Sequence, residues 1–439
     1  MNIRNFIRAF LATFTLPLMV NAGPAPATGP GRSDCQSLKL AECPAPFDAA
    51  LPAASQFLAW HGEDRVVGLR NTWRLYPGDV FRTGDRPASP LQKAERPLTD
   101  VHYRFARQDL DLPLYLDHQH VAGLLLLKNG RIALEYYGMG NTERTLWTSR
   151  SVAKSVVSTL VGIAIREGRI HSIDDPVVQY LPKLKRTAWD GVTLRQLITH
   201  TSGVTWNERY DDPRSDFAAL TECEAADDPY PCIMQLVASR PRRAGISPGE
   251  VWSYNTGGAW LVGRVLEEAT GMSIAHYLET RLWSREPMEH EGVWQALVPG
   301  KMDMGGHGFN ASLRDWGRFG LFVERGGRLS DGTPLLPDGW VKEATNWTRA
   351  RGSITPETPD GQYGFQWWYN PGESNAEGML AVARQSFWAE GIYGQAIAID
   401  PVEHVVMVQW SAWPEADPTD GKEEEQANFF AGAVAALRE

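Results

Sequence analysis

The stretch Thr148–Gly168, TSRSVAKSVVSTLVGIAIREG, sets one lysine among small hydroxyls and aliphatic side chains. From Ser151 to Glu167 apolar residues fall on nearly every face (Val152, Val156, Val157, Leu160, Val161, Ile163, Ile165), and Gly168 stands where a C-cap belongs. A helix apolar all round is a buried helix, so a layered body must enclose it. Lys154 lies in the first turn. Its ammonium is either buried against a sheet or stretched out over the rim.

Working outward, VAGLLLLKNGRIALEYYG (121–138) holds two apolar runs joined by Lys128-Asn129-Gly130, a strong hairpin signal. Between about 174 and 299 the pattern is mostly short helices: 193–199 with Thr193 as N-cap, 232–239, and 257–270 closed by Gly271. Another helix follows in GGHGFNASLRDWGRFGLFVERGG (305–327), ending near Gly326. The apolar runs YGQAIAID (393–400) and HVVMVQWSA (404–412) then return to sheet. The last helix, EEEQANFFAGAVAALRE, carries its acids at the start, where the helix dipole favours them. Sheet, helices and sheet again predict an α/β (α+β) body: an antiparallel sheet flanked by helices with a mostly helical insert at about 174–299, the whole domain running 99–439. Residues 23–98, rich in Pro, Ala and Gly, are expected to form an irregular lead-in packed on that body.

The chain has 439 residues, 43% hydrophobic and 22% charged, an ordinary globular composition. Asp and Glu outnumber Lys and Arg by 53 to 43, and the net charge of −10 would repel a polyphosphate backbone, so nucleic acid is an unsuitable partner. The start carries Arg4 and Arg8, an apolar stretch from Phe10 to Val20, and small residues ending at Ala22. This reads as a cleavable export signal (1–22), giving a periplasmic or secreted protein that begins near Gly23. The apolar run is too short to span a bilayer, and no cysteine follows to carry a lipid anchor. Four cysteines allow three pairings. In an oxidising compartment local loops favour Cys35 with Cys43 and Cys223 with Cys232. Neither couple has zinc-site spacing, and no metal or cofactor is expected.

A serine hydroxyl is a poor nucleophile at neutral pH and needs a nearby base. Ser151 and Lys154, three apart, are neighbours on one helix face. A lysine serves as that base when desolvation or positive charge lowers its pKa from about 10.4, and an apolar helix start supplies both. Such a pair recurs by chance in many chains. Here three further stretches follow in order: GVTLRQLITHTSGV (191–204), SPGEVWSYNTGGAWLVG (247–263) and GFNASLRDWGRFG (308–320).

Together these motifs resemble the serine hydrolases of β-lactamase fold, the group of class C β-lactamases, D,D-peptidases, esterases and 6-aminohexanoate-oligomer hydrolases. The resemblance covers roughly residues 100–439. NTWRLYPGDVF (71–81) is similar to the oligomer-hydrolase branch. It implies an acyl-enzyme on Ser151, with Lys154 as base and Tyr254 as general acid/base in the place of the family's Tyr-x-Asn tyrosine. Thr256 stands where the asparagine belongs, and Asn255 sits one position early as a candidate substrate contact. The family's Lys-Thr-Gly or His-Thr-Gly aligns with Ala389, Glu390 and Gly391, so only the glycine matches. The cation that grips a carboxylate is missing, which reduces β-lactamase or D,D-peptidase activity to a side possibility. Gly391 permits close backbone approach, and the Ile392 amide joins that of Ser151 as an oxyanion hole.

Tyr210 in NERYDDP resembles a substrate-contacting loop tyrosine, His307 is a candidate cleft residue, and His200 in THTSG reads as structural. Seventeen tryptophans, among them Trp206, Trp252 and Trp388, suggest an aromatic-walled cleft. The expected activity is hydrolysis of small carboxylic esters or linear amides. The altered second and third elements leave one alternative, an inactive member of the fold that binds peptidoglycan or peptide.

Overall fold

The computed structural model describes residues 33–85, 88, 90–345, 363–369, 386–418 and 420–438. The expected export signal lies outside the described residues. Among them no helix is long and apolar enough to cross a membrane.

The hairpin forms where the sequence places it. Strand Val121–Lys128 pairs antiparallel with Arg131–Tyr137, and Asn129 (φ 51°) and Gly130 (φ 73°) both take the left-handed backbone that a tight two-residue turn requires. From the far end of the chain, strand Val405–Ser411 pairs with Val121–Lys128, setting Met407 opposite Leu126. The six-stranded antiparallel sheet runs, from one edge, Trp368–Tyr369, Phe387–Gly391, Gln395–Asp400, Val405–Ser411, Val121–Lys128, Arg131–Tyr137. Both faces are covered, which explains why its central strands read as continuous apolar runs. Val406, Val408 and Trp410 face one core. Val405 and Met407 face a second core with Phe429 and Phe430 of the C-terminal helix Lys422–Ala436.

Helix Val152–Arg166 lies in the first of these cores, and every side chain from Val152 to Ala164 is buried. Burying one such aliphatic side chain contributes roughly 1.5–3 kcal/mol. Six of them outweigh the desolvation of one amine, so the helix drags Lys154 under with it. Gly168 (φ 70°) ends the run as expected. Helix Thr256–Thr270 packs alongside, closed by left-handed Gly271. Helix Leu194–Ile198 begins at a reciprocal cap between Thr193 and Gln196.

Two features differ from the sequence reading. Helix Pro229–Ala238 starts three residues before Cys232, because prolines are tolerated in a first turn whose amides lack partners. The lead-in is also more regular than its composition suggests, contributing helix Gly62–Arg70 and strand Gly78–Phe81. That strand is the edge of a second sheet, ordered Gly78–Phe81, Gly292–Val298, Phe309–Ala311, Trp147–Thr148, with Met302–Asp303 paired to Gly292–Val298. Disulfides close Cys35–Cys43 and Cys223–Cys232, the two local pairings.

Candidate active site

Three segments converge at the start of helix Val152–Arg166. Ser151 is its N-cap, with near-helical backbone, and Arg150 before it takes a left-handed φ of 47°. That conformation is costly for a residue with a Cβ and is held by its surroundings. The Arg150 guanidinium is buried on the lead-in side, 3.4 Å from the centre of the Phe57 ring, and burial lowers its pKa to about 10. The lead-in therefore locks the turn that presents Ser151.

Lys154 Nζ lies 2.8 Å from Ser151 Oγ and donates to the Gly306 carbonyl at 2.9 Å. The side chain is 1% exposed, and burial pulls its pKa down to about 8, against smaller opposing pulls from Glu208 and Glu224. A fall from 10.5 to about 8 corresponds to roughly 3 kcal/mol of lost ammonium stability. The Gly306 carbonyl arrives there because Gly305 and Gly306 lie directly on helix Thr256–Thr270. A Cβ on Gly305 would sit 3.0 Å from the Ala259 and Trp260 carbonyl oxygens.

Tyr254 closes the other side. Its ring centre is 5.0 Å from Lys154 Nζ, and its hydroxyl is turned toward Ser151. Burial and the Glu208 carboxylate push the phenol above its usual range, while the neighbouring Ser151 hydroxyl pulls the other way. The ring stacks on Trp368 at 5.8 Å and meets Tyr363 edge-on, with Trp252 completing the cluster. These rings form a buried aromatic cluster behind Tyr254, while Trp388 packs on Phe430 in the second core.

Gly391 ends strand Phe387–Gly391 against the nucleophile turn. A Cβ there would lie 2.6 Å from the Ser149 carbonyl oxygen and 2.9 Å from the Ser151 nitrogen. Ile392, half-buried, begins the turn that follows. Ser151, Lys154, Tyr254, Gly391 and Ile392 are thus brought to one place.

Asn255 is not available as a substrate contact. It is the N-cap of helix Thr256–Thr270, its Oδ1 accepting from the Gly258 amide at 2.6 Å, and only 2% of it is exposed. Capping demands the inward orientation, so that expectation is corrected. His307 is buried too, its Nε2 3.0 Å from Glu224, whose other oxygen accepts from Gln295. It is therefore held inward by Glu224 and does not line open space. Tyr210 donates to Glu208 at 3.2 Å and meets Phe217 edge-on.

Two residues carry more than the sequence reading gave them. His200 (φ 56°) stands 4.7 Å from the Tyr254 ring and 5.0 Å from that of Tyr363, without a hydrogen-bond partner on either nitrogen among the described residues. Burial, then the neighbouring Lys154 charge, push its pKa far below the usual imidazole value, so it is neutral. Glu208 is the second. Its carboxylate gathers Trp206, Tyr210 and Thr256. A glutamate two residues before Tyr210 in a loop follows no period that would flag it.

A desolvated lysine on a helix-start serine, a tyrosine across from it and a strand end at the serine amide define a class, the serine hydrolases of β-lactamase fold. A family model described as Beta-lactamase matches residues 112–429, and the chain belongs to that family. It is 29% identical over 319 residues to the 6-aminohexanoate-dimer hydrolase of Paenarthrobacter ureafaciens, covering 70% of this chain and 76% of the relative. It is 30% identical over 144 residues to esterase EstB of Burkholderia gladioli, 30% of this chain and 34% of that one. A solved structure from Bacillus anthracis, provisionally named a 6-aminohexanoate-dimer hydrolase, superimposes with a TM-score of 0.73 at 22% identity, covering 88% of this chain and 97% of the other. At that identity the likeness speaks for the fold.

Proposed function

We propose that the protein is an exported serine hydrolase that cleaves small carboxylic esters or linear amides through an acyl-enzyme on Ser151. The observation that carries this reading is the 2.8 Å approach of a desolvated Lys154 Nζ to Ser151 Oγ. With one N–H held by the Gly306 carbonyl, the neutral amine turns its lone pair toward the serine proton. As Oγ attacks the carbonyl carbon, its proton passes to Lys154, and the oxyanion forms against the amides of Ser151 and Ile392. Tyr254 lies between Lys154 and the leaving group and hands the proton on when the C–O or C–N bond breaks. Water then enters in place of the leaving group and is deprotonated by the same pair, which frees the acid and restores Ser151.

The substrate class follows from what stands at the third family element. Ala389 and Glu390 offer no cation to a substrate carboxylate beside the scissile bond, which disfavours penicillins. The Paenarthrobacter relative cleaves a linear amide by its name and the Burkholderia relative is an esterase, so both bond types fall within reach. Export is supported by the two disulfides. The test is turnover of p-nitrophenyl butyrate, linear aminohexanoate dimer and nitrocefin by wild type and Ser151→Ala. Wild type is expected to cleave the ester or the dimer well ahead of nitrocefin, and Ser151→Ala to lose about 10³-fold or more in kcat with its fold intact. Retained turnover in Ser151→Ala would refute the assignment.

A further inference from the structure

We propose that Glu208 is a positioning residue for this chemistry, its carboxylate pinning the segment that carries Tyr254 and standing as counter-charge to the Lys154 ammonium. The inference rests on the acyl-transfer reading of Ser151. Oε1 of Glu208 accepts from the Thr256 hydroxyl at 2.5 Å and the Tyr210 hydroxyl at 3.2 Å, and Oε2 accepts from the Thr256 amide at 3.0 Å and the Trp206 indole N–H. All four donors come from two stretches, the loop 206–210 and the start of helix Thr256–Thr270. Thr256 follows Tyr254 by two residues, and the Trp206 ring lies so close over Gly257 that a Cβ there would be 2.6 Å away. Loop and helix start are therefore tied together.

This explains a departure from the family pattern. The asparagine of Tyr-x-Asn is replaced by Thr256, whose hydroxyl and amide both go to Glu208. In this chain a threonine bound to a carboxylate stands where the family pattern has an asparagine. The charge also reaches further than the hydrogen bonds. Lys154 meets Ser151, the Gly306 carbonyl and the Tyr254 ring, with neutral His200 close by, and it feels the charge of two carboxylates, Glu208 and Glu224. Glu224 is engaged with His307 and Gln295. Both carboxylates favour the ammonium against its burial, Glu208 the more strongly.

Glu208→Gln separates charge from architecture. Its amide oxygen can accept from the Thr256 amide and Trp206, while its NH₂ donates to the Thr256 and Tyr210 hydroxyls, which turn to accept. The experiment is kcat/KM against pH for p-nitrophenyl butyrate with wild type, Glu208→Gln and Glu208→Ala, alongside fluorophosphonate labelling. Without the negative charge the ammonium is harder to hold, so the acid limb of Glu208→Gln should move down by about one pH unit, with KM within about twofold of wild type. Glu208→Ala should lose at least about tenfold more in kcat than Glu208→Gln, because Thr256 is released as well. A role limited to holding the loop would lower kcat and leave the limb in place. An active, labelled wild type whose limb coincides with that of Glu208→Gln overturns the Glu208 proposal alone. A wild type that neither turns over nor labels overturns the Ser151 reading and this inference with it.

Discussion

Lys154 answers two opposing demands. Its helix buries it, which disfavours the ammonium, while Glu208 and Glu224 favour it. The balance near 8 leaves a useful fraction of neutral amine at ordinary pH without making the base too weak to take a serine proton. The pairing with Ser151 was legible at i and i+3, because the helical repeat alone sets those side chains together. Tyr254 was legible through its motif. Gly391 was legible as the one match in an otherwise altered element, and its geometry gives a sharp expectation. Alanine at Gly391 puts a methyl against backbone atoms of Ser149 and Ser151, which cannot swing aside as a side chain could. The Ile392 amide must retreat. Gly391→Ala should lower kcat by about 10²–10³-fold, the usual loss for one oxyanion donor, and the forced backbone shift should lower the thermal midpoint as well, at a cost of about 1–3 kcal/mol. Near-wild-type kcat in a folded variant would remove that amide from the site.

At the scale of elements, the sequence was most readable where local chemistry decides the outcome. Asn129-Gly130 makes its turn by a local backbone preference, and Thr193 with Gln196 starts a helix by their own hydrogen bonds. The second sheet was not readable. Its strands lie far apart in sequence, with Gly78–Phe81 joined to Gly292–Val298, so no local pattern announces the pairing. Asn255 shows the cost of reading a motif by position alone. An asparagine immediately before a helix, three residues ahead of Gly258, is also an N-cap pattern, and the structure takes that use. Asn255→Ala should therefore cost about 1 kcal/mol of stability, measured by urea unfolding, and leave KM within about twofold. A KM raised tenfold at unchanged stability would return Asn255 to the substrate.

For the whole molecule, the division between legible and hidden follows the distance over which each interaction acts. The two ends of the main domain meet in one sheet, and that was foreseeable from apolar runs at both ends. The anchoring of Arg150 on Phe57 and the gathering of Trp206, Tyr210 and Thr256 by Glu208 join segments with no shared period, so only the folded chain reveals them. These long-range ties fix the Ser151 turn and the Tyr254 segment around an amine that its own helix keeps out of water. Covalent labelling tests that most directly: a fluorophosphonate, followed by peptide mapping, applied to the wild type and to Lys154→Met, which fills the same space without a base. The account predicts a single adduct on Ser151 in the wild type and a labelling rate at least about 10²-fold slower in Lys154→Met. An adduct on another residue, or equal rates in the two proteins, would contradict it.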